Sequence, residues 1–161
     1  MAKSFPVSSP GRDRKEAKTM SKIAIVYWSG TGNTQAMARQ VAEGARAAGA
    51  EPELFEASEF SASRAGGYTA LGLGCPAMGA EQLEETEFEP LYQSLKPMLG
   101  GKKVGLFGSY GWGDGEWMRT WQQDAKSCGA SLLAEPVIVN GAPDAEGEEA
   151  CRRLGGALAG N

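Results

Sequence analysis

The stretch Tyr27-Trp28-Ser29-Gly30-Thr31-Gly32-Asn33-Thr34 limits the folds open to this chain more than any other. An apolar run from Ile23 to Trp28 leads into a short loop of glycines and hydroxyls, and a helical pattern begins at once beyond it. A strand, a loop and a helix in that order place unpaired backbone N–H groups and the positive end of a helix dipole where an anion would sit. Gly30 and Gly32 let the backbone curl round that anion, while Ser29, Thr31, Asn33 and Thr34 add neutral donors. The bland alternative is a strand-to-helix turn capped by Asn33 or Thr34. Four hydroxyl or amide side chains in six residues favour the anion. The Gly-Lys-Ser/Thr ending of the nucleotide-triphosphatase loop is missing, and so is the third glycine of the dinucleotide fingerprint. A terminal phosphate monoester on a mononucleotide fits the loop better.

The chain has 161 residues, enough for one domain with a real core. It has no histidine, which excludes His-based hydrolase triads and removes the commonest transition-metal ligand; no metal site is expected. Residues 1–20 carry five Lys/Arg against two acids, so the rest carries eleven against eighteen, a balance of −7. So acidic a body is a poor nucleic-acid binder and suits docking on basic partner surfaces. Cys75, Cys128 and Cys151 are scattered without metal-ligand spacing, as expected of reduced thiols in a cytoplasmic protein. The chain has neither an apolar run long enough to span a membrane nor a secretory signal pattern at its N-terminus.

Residues 1–20 hold almost no large apolar side chain and are expected to form a disordered extension ahead of one domain, 21–161. From Lys22 the pattern alternates strand and helix: strands over 22–28, 53–55, 68–74, 103–109 and 132–139, and helices over 33–48, 116–128 and 144–159. A weak helical segment over 58–65 and a helix striped by Phe88, Leu91, Tyr92, Leu95 and Leu99 complete the set. Five strands alternating with helices predict an α/β fold with a doubly wound parallel sheet, helices covering both faces. Ligands of such sheets sit beyond the carboxyl ends of the strands. Three loops therefore matter: the one after strand one, Cys75 to Glu87, and Ser109 to Gly115. Each alone reads as a turn with a hydrophobic plug. Together they set a phosphate cradle, a methionine and a glycine-flanked Trp112 on one rim, where a flat ring suits stacking on a planar ligand.

Tyr-Trp-Ser-Gly-Thr-Gly-Asn-Thr, Gly-Cys-Pro-Ala-Met-Gly, Glu-Phe-Glu-Pro and Leu-Phe-Gly-Ser-Tyr-Gly-Trp-Gly-Asp-Gly-Glu-Trp-Met together resemble the short-chain bacterial flavodoxins, over essentially all of Ser21 to Asn161. The resemblance implies one tightly but non-covalently bound FMN and a flavodoxin-like sheet in the order 2-1-3-4-5. It places the FMN phosphate on Ser29, Gly30, Thr31, Gly32, Asn33 and Thr34, with Ser109 nearby. Met78 and Trp112 would lie on opposite faces of the isoalloxazine. Glu81 would accept from flavin N3, and the backbone of Ala77, Met78, Gly79, Ala80, Tyr110, Gly111, Gly113 and Asp114 would meet the ring or its edge.

The resemblance also implies a low-potential one-electron carrier rather than an enzyme. The carbonyl of the Met78–Gly79 peptide would turn to accept a proton carried on N5 after the first electron, a turn that glycine permits cheaply. The acidic rim of Glu81, Glu84, Glu85 and Asp114, with no Lys or Arg in the three loops, would oppose the second electron. Ala80 departs from the Asp that many relatives carry after that glycine. The implied partners are a flavodoxin reductase or oxidoreductase donor and a low-potential iron–sulfur or nitrogenase-type acceptor, and the chain is expected to be a monomer. The competing reading is an NAD(P)H-dependent FMN or quinone reductase on the same fold, which needs an open flavin face. A phosphoacceptor receiver domain would need an aspartate where Cys75 stands.

Overall fold

Alternation along the first strand divides the core in two. In β1 (Lys22–Tyr27), Ile23, Ile25 and Tyr27 point into one buried cluster and Ala24 and Val26 into another. A strand buried on both faces belongs inside a covered parallel sheet. The computed structural model, which describes residues 21–79, 81–132 and 134–160, shows that sheet. The strands β1, β2 (Glu51–Glu56), β3 (Ala70–Gly74), β4 (Lys103–Tyr110) and β5 (Val137–Asn140) are all parallel, in the order β2-β1-β3-β4-β5. The expected extension over residues 1–20 lies outside the described residues, as do Ala80 and Leu133.

The longer helices are α1 (Asn33–Ala47), α3 (Phe88–Leu95), α4 (Glu116–Ser127) and α5 (Ala145–Ala159), and a single turn, α2 (Ala62–Ala65), follows β2. On one face α1 and α5 bury Met37, Val41, Cys151, Leu154 and Leu158 against Ile23, Ile25 and Phe107. On the other, Phe88, Leu91, Tyr92 and Leu95 of α3 and Trp117, Met118 and Trp121 of α4 cover Ala24, Val26, Leu73 and Leu106. Trp121 meets both Phe88 and Tyr92 edge-on, at 5.4 and 6.0 Å between ring centres.

Several boundaries differ from the pattern-based reading. Strand β2 runs six residues rather than three. It is an edge strand in which Phe55 alone is buried, so most of it carries no apolar signal, and its edge position tolerates Pro52. Strand β3 starts at Ala70, because Tyr68 packs in an aromatic group with Phe55 and Phe60. Helix α3 ends at Leu95 and continues as a 3₁₀ turn, Lys96–Met98, around Pro97. Strand β5 begins after Pro136 rather than before it, and Ser131 makes only an isolated bridge to Lys103.

Candidate functional site

The carboxyl ends of β1, β3 and β4 open into one cavity of about 290 Å³. From the first loop it is lined by Gly30, Thr31 and Asn33, from the second by Ala77 and Met78, and from the third by Ser109, Tyr110 and Gly111. Trp28, Pro76 and Gly141 complete the wall; the sequence reading did not count these three as ligand-binding. Gly141 follows β5, so applying the strand-end rule to that loop as well would have found it. Ser109 Oγ donates to Gly141 O at 2.7 Å, and Gly141 N–H donates to Tyr110 O at 2.9 Å, which stitches the fourth wall to the third.

The first loop is shaped by its own side chains. Ser29 Oγ accepts the N–H of Gly32 at 3.0 Å, and Gly32 takes φ +99° directly before α1. A glycine brings no side chain to cap the helix, so the first-turn N–H groups are left for another acceptor. Thr34 is 1% exposed, and its Oγ1 is buried with no hydrogen-bond partner. An orphaned buried hydroxyl carries a desolvation penalty that a bound acceptor would relieve. Free helix N–H groups, an unused hydroxyl and neutral donors together fit a phosphate monoester, and so the tail of FMN.

The second loop holds its turn by backbone bonds. Met78 and Gln82 exchange N–H to O bonds of 2.9 and 3.0 Å, closing a tight bend in which Gly79 has φ +42° and Glu81 φ +54°. Met78 is half-buried and Gly79 exposed. In the third loop Trp112 is 63% exposed, a large flat apolar surface that its own chain leaves uncovered. Farther along, Trp117 Nε1 donates to Cys75 O at 3.1 Å, tying the start of α4 to the end of β3. A Cβ at Gly108 would stand 2.2 Å from that same oxygen, so β4 and the Cys75 loop meet only because a glycine is there.

Glu81 and Asp114 lie outside the cavity wall. Glu81 Oε1 is 3.4 Å from the N–H of Trp117, and its carboxylate, with those of Asp114 and Glu116, gathers within 4.8 Å at the N-terminus of α4. The helix dipole favours negative charge there. Gly113, at φ +87°, packs against the Glu81 carboxylate. Arg119 donates to Asp114 Oδ1 at 3.1 Å and to its carbonyl at 3.0 Å. The reading of three loops without Lys or Arg missed this partner because it comes from the helix.

Glu84 is a correction to the expected acidic rim. It is 4% exposed rather than solvated, and it accepts hydrogen bonds from the N–H groups of Thr86, Glu87 and Phe88 and from the Thr86 hydroxyl. Burial alone would push its carboxyl up, but the hydrogen bonds from Thr86, Phe88 and Glu87 outweigh that and hold it below the usual carboxylate range. Cys75, at the end of β3, is fully buried and its thiol is pushed up to about 12 by burial, with the Glu84 N–H opposing and the Glu84 and Glu89 charges adding. It is a packed thiol rather than a nucleophile.

The family model described as Flavodoxin matches residues 25–155. The flavodoxin of Megasphaera elsdenii is 47% identical over 137 residues, covering 85% of this chain and 98% of its own. That of Clostridium beijerinckii is 44% identical, covering 85% and 99%. The solution structure of two-electron reduced Megasphaera elsdenii flavodoxin superposes with a TM-score of 0.79 over 85% of this chain and 98% of that one.

Proposed function

Because the chain belongs to the flavodoxin family, we propose the following assignment of its residues within that family's work. The protein is an FMN-binding electron carrier, not an enzyme, and it passes electrons between redox proteins. FMN, when bound, supplies a centre that can gain or lose one electron at a time. Everything else is done by the chain.

Ser29 to Thr34 and the first turn of α1 grip the phosphate, and Thr34 Oγ1 gains the acceptor it now lacks. This hydroxyl is the observation that carries the assignment: a buried donor without a partner stands in the first turn of α1, next to Asn33 of the cavity wall. Ser109 braces the cradle through its bond to Gly141 rather than by free contact. Met78 and Trp112 would cover the two faces of the ring, and Trp112 has 63% of its surface free to do so. Gly79 supplies a backbone carbonyl, and a peptide able to rotate, at the ring edge. Glu81, whose carboxylate now lies by the Trp117 N–H at the α4 N-terminus, would accept from flavin N3. Ala77, Ala80, Tyr110, Gly111, Gly113 and Asp114 frame the polar edge.

The finer partner assignment remains a flavodoxin reductase or oxidoreductase as donor and a low-potential iron–sulfur or nitrogenase-type protein as acceptor. The acidic balance supports basic docking surfaces on both. Cytoplasmic location, supported by three free cysteines, and a monomeric state belong to the same proposal. Among the described residues no helix is long and apolar enough to cross a membrane.

Two titrations test the assignment. Apoprotein added to FMN is expected to quench flavin fluorescence at one equivalent, and the holoprotein is expected to leave NADPH unoxidised in the presence of a quinone with no added reductase. Sustained NADPH consumption would favour the reductase reading instead.

A further inference from the structure

Glu84 is the only buried charged side chain among the described residues, and its bonds meet at one point. Its carboxylate takes the N–H groups of Glu87 at 2.8 Å and Phe88 at 2.9 Å on one oxygen, and Thr86 N–H at 2.9 Å and the Thr86 hydroxyl on the other. Its own N–H donates to Cys75 Sγ at 3.3 Å, and its carbonyl accepts from Glu89 at 2.8 Å. The end of β3 and the start of α3 are therefore pinned to a single residue. Everything between them, Pro76 to Leu83, is a loop with both feet fixed at Glu84. The Met78–Gln82 turn stands on that loop. The same knot reaches the phosphate side: Glu87, held by Glu84, accepts Trp28 Nε1 at 3.1 Å, and Trp28 is in the cavity wall.

A short helix needs no buried charge to start it, since an exposed Ser, Asp or Asn does that at far lower desolvation cost. We propose that Glu84 is a positioning residue for the flavin: its carboxylate fixes the base on which the Met78–Gly79 peptide turns and, through Glu87, the indole of Trp28. It acts by geometry, from behind the loop, and touches no cofactor. The inference rests on the FMN reading above.

Three variants test it, each read by urea midpoint of the apoprotein, by affinity for FMN and for riboflavin, and by the interval between the two one-electron midpoint potentials. Glu84→Ala removes all four acceptor contacts. It is expected to weaken both FMN and riboflavin by about tenfold, the size of losing a hydrogen-bonded buried charge, and to narrow the interval. Glu84→Gln keeps one carbonyl oxygen and is expected to fall between wild type and Glu84→Ala. Thr86→Val loosens the carboxylate without removing its charge and is expected to shift the interval in the same direction by less. Lowered urea midpoints with unchanged flavin affinity and unchanged interval would leave Glu84 a structural cap and overturn the proposal. A shifted interval in Glu84→Gln with none in Thr86→Val would assign the effect to charge alone and overturn it too. If Glu84→Ala does not fold, Glu84→Gln with wild-type affinity and interval overturns the proposal. Wild-type protein that binds neither flavin would instead defeat the FMN reading itself.

Discussion

Thr34 separates what the fold needs from what the ligand needs. Its hydroxyl is buried without a partner, so replacing it with a methyl removes an unpaid desolvation penalty from the apoprotein and a hydrogen bond from the complex. Thr34→Val is expected to leave the apoprotein urea midpoint level or raised, to weaken FMN by about tenfold, and to leave riboflavin, which lacks the phosphate, nearly unaffected. Equal weakening of both flavins would contradict the phosphate role. Gly79 makes the complementary case at the ring. Its φ of +42° disfavours a side chain, so Gly79→Ala is expected to narrow the interval between the two midpoint potentials in a redox titration, with an unchanged interval refuting the peptide-turn role. Both positions stand out in the sequence because glycine and hydroxyl punctuate the loops after the strands. Trp28, Glu84 and Arg119 were not. Trp28 and Arg119 pair with Glu87 and Asp114, which belong to other segments, while Glu84 binds its near neighbours Thr86, Glu87 and Phe88 but stands in the sequence as one acid among several, with nothing to mark it as the buried one.

At the scale of elements, helix α1 and helix α5 approach until their backbones touch. A Cβ at Gly155 would sit 1.9 Å from Val41 O, and one at Gly44 1.9 Å from Arg152 O. Gly155→Ala is therefore expected to lower stability by about 1–3 kcal/mol in urea unfolding, despite alanine's better helix propensity, because backbone cannot yield as a side chain can. A stabilised variant would show that the two helices have room. The loop that starts α3 has a pH signature. Glu84 is held below its ordinary range in the folded state, so its stabilisation is present above the unfolded value and lost as pH falls through the folded one. Unfolding stability is expected to drop below about pH 4.3, and Glu84→Gln to flatten that part of the profile. A profile identical in both proteins would contradict it. The apolar stripes of α1, α3, α4 and α5 were readable, since helical period survives in composition. The ends of β2, β3 and β5 were not: β2 is an exposed edge, and β3 and β5 border stretches whose apolar residues pack without joining the ladder.

For the molecule as a whole, alternation of strand and helix implies a parallel sheet covered on both faces, the family resemblance implies its order, and the cavity follows from the order, since the first, third and fourth strands end side by side. The acidic balance of residues 21–161 is expected to favour basic docking surfaces on redox partners. Electron transfer to a basic partner is expected to slow as salt rises from low to physiological strength, measured by stopped flow. A rate indifferent to salt would remove charge from the account of docking. The most direct test of the whole is an anaerobic potentiometric titration of the FMN-loaded protein followed by its absorption spectrum. Two resolved one-electron steps, with the second well below the potential of free flavin, are the expected result. A single two-electron step at the potential of free FMN would contradict an electron carrier that handles electrons singly.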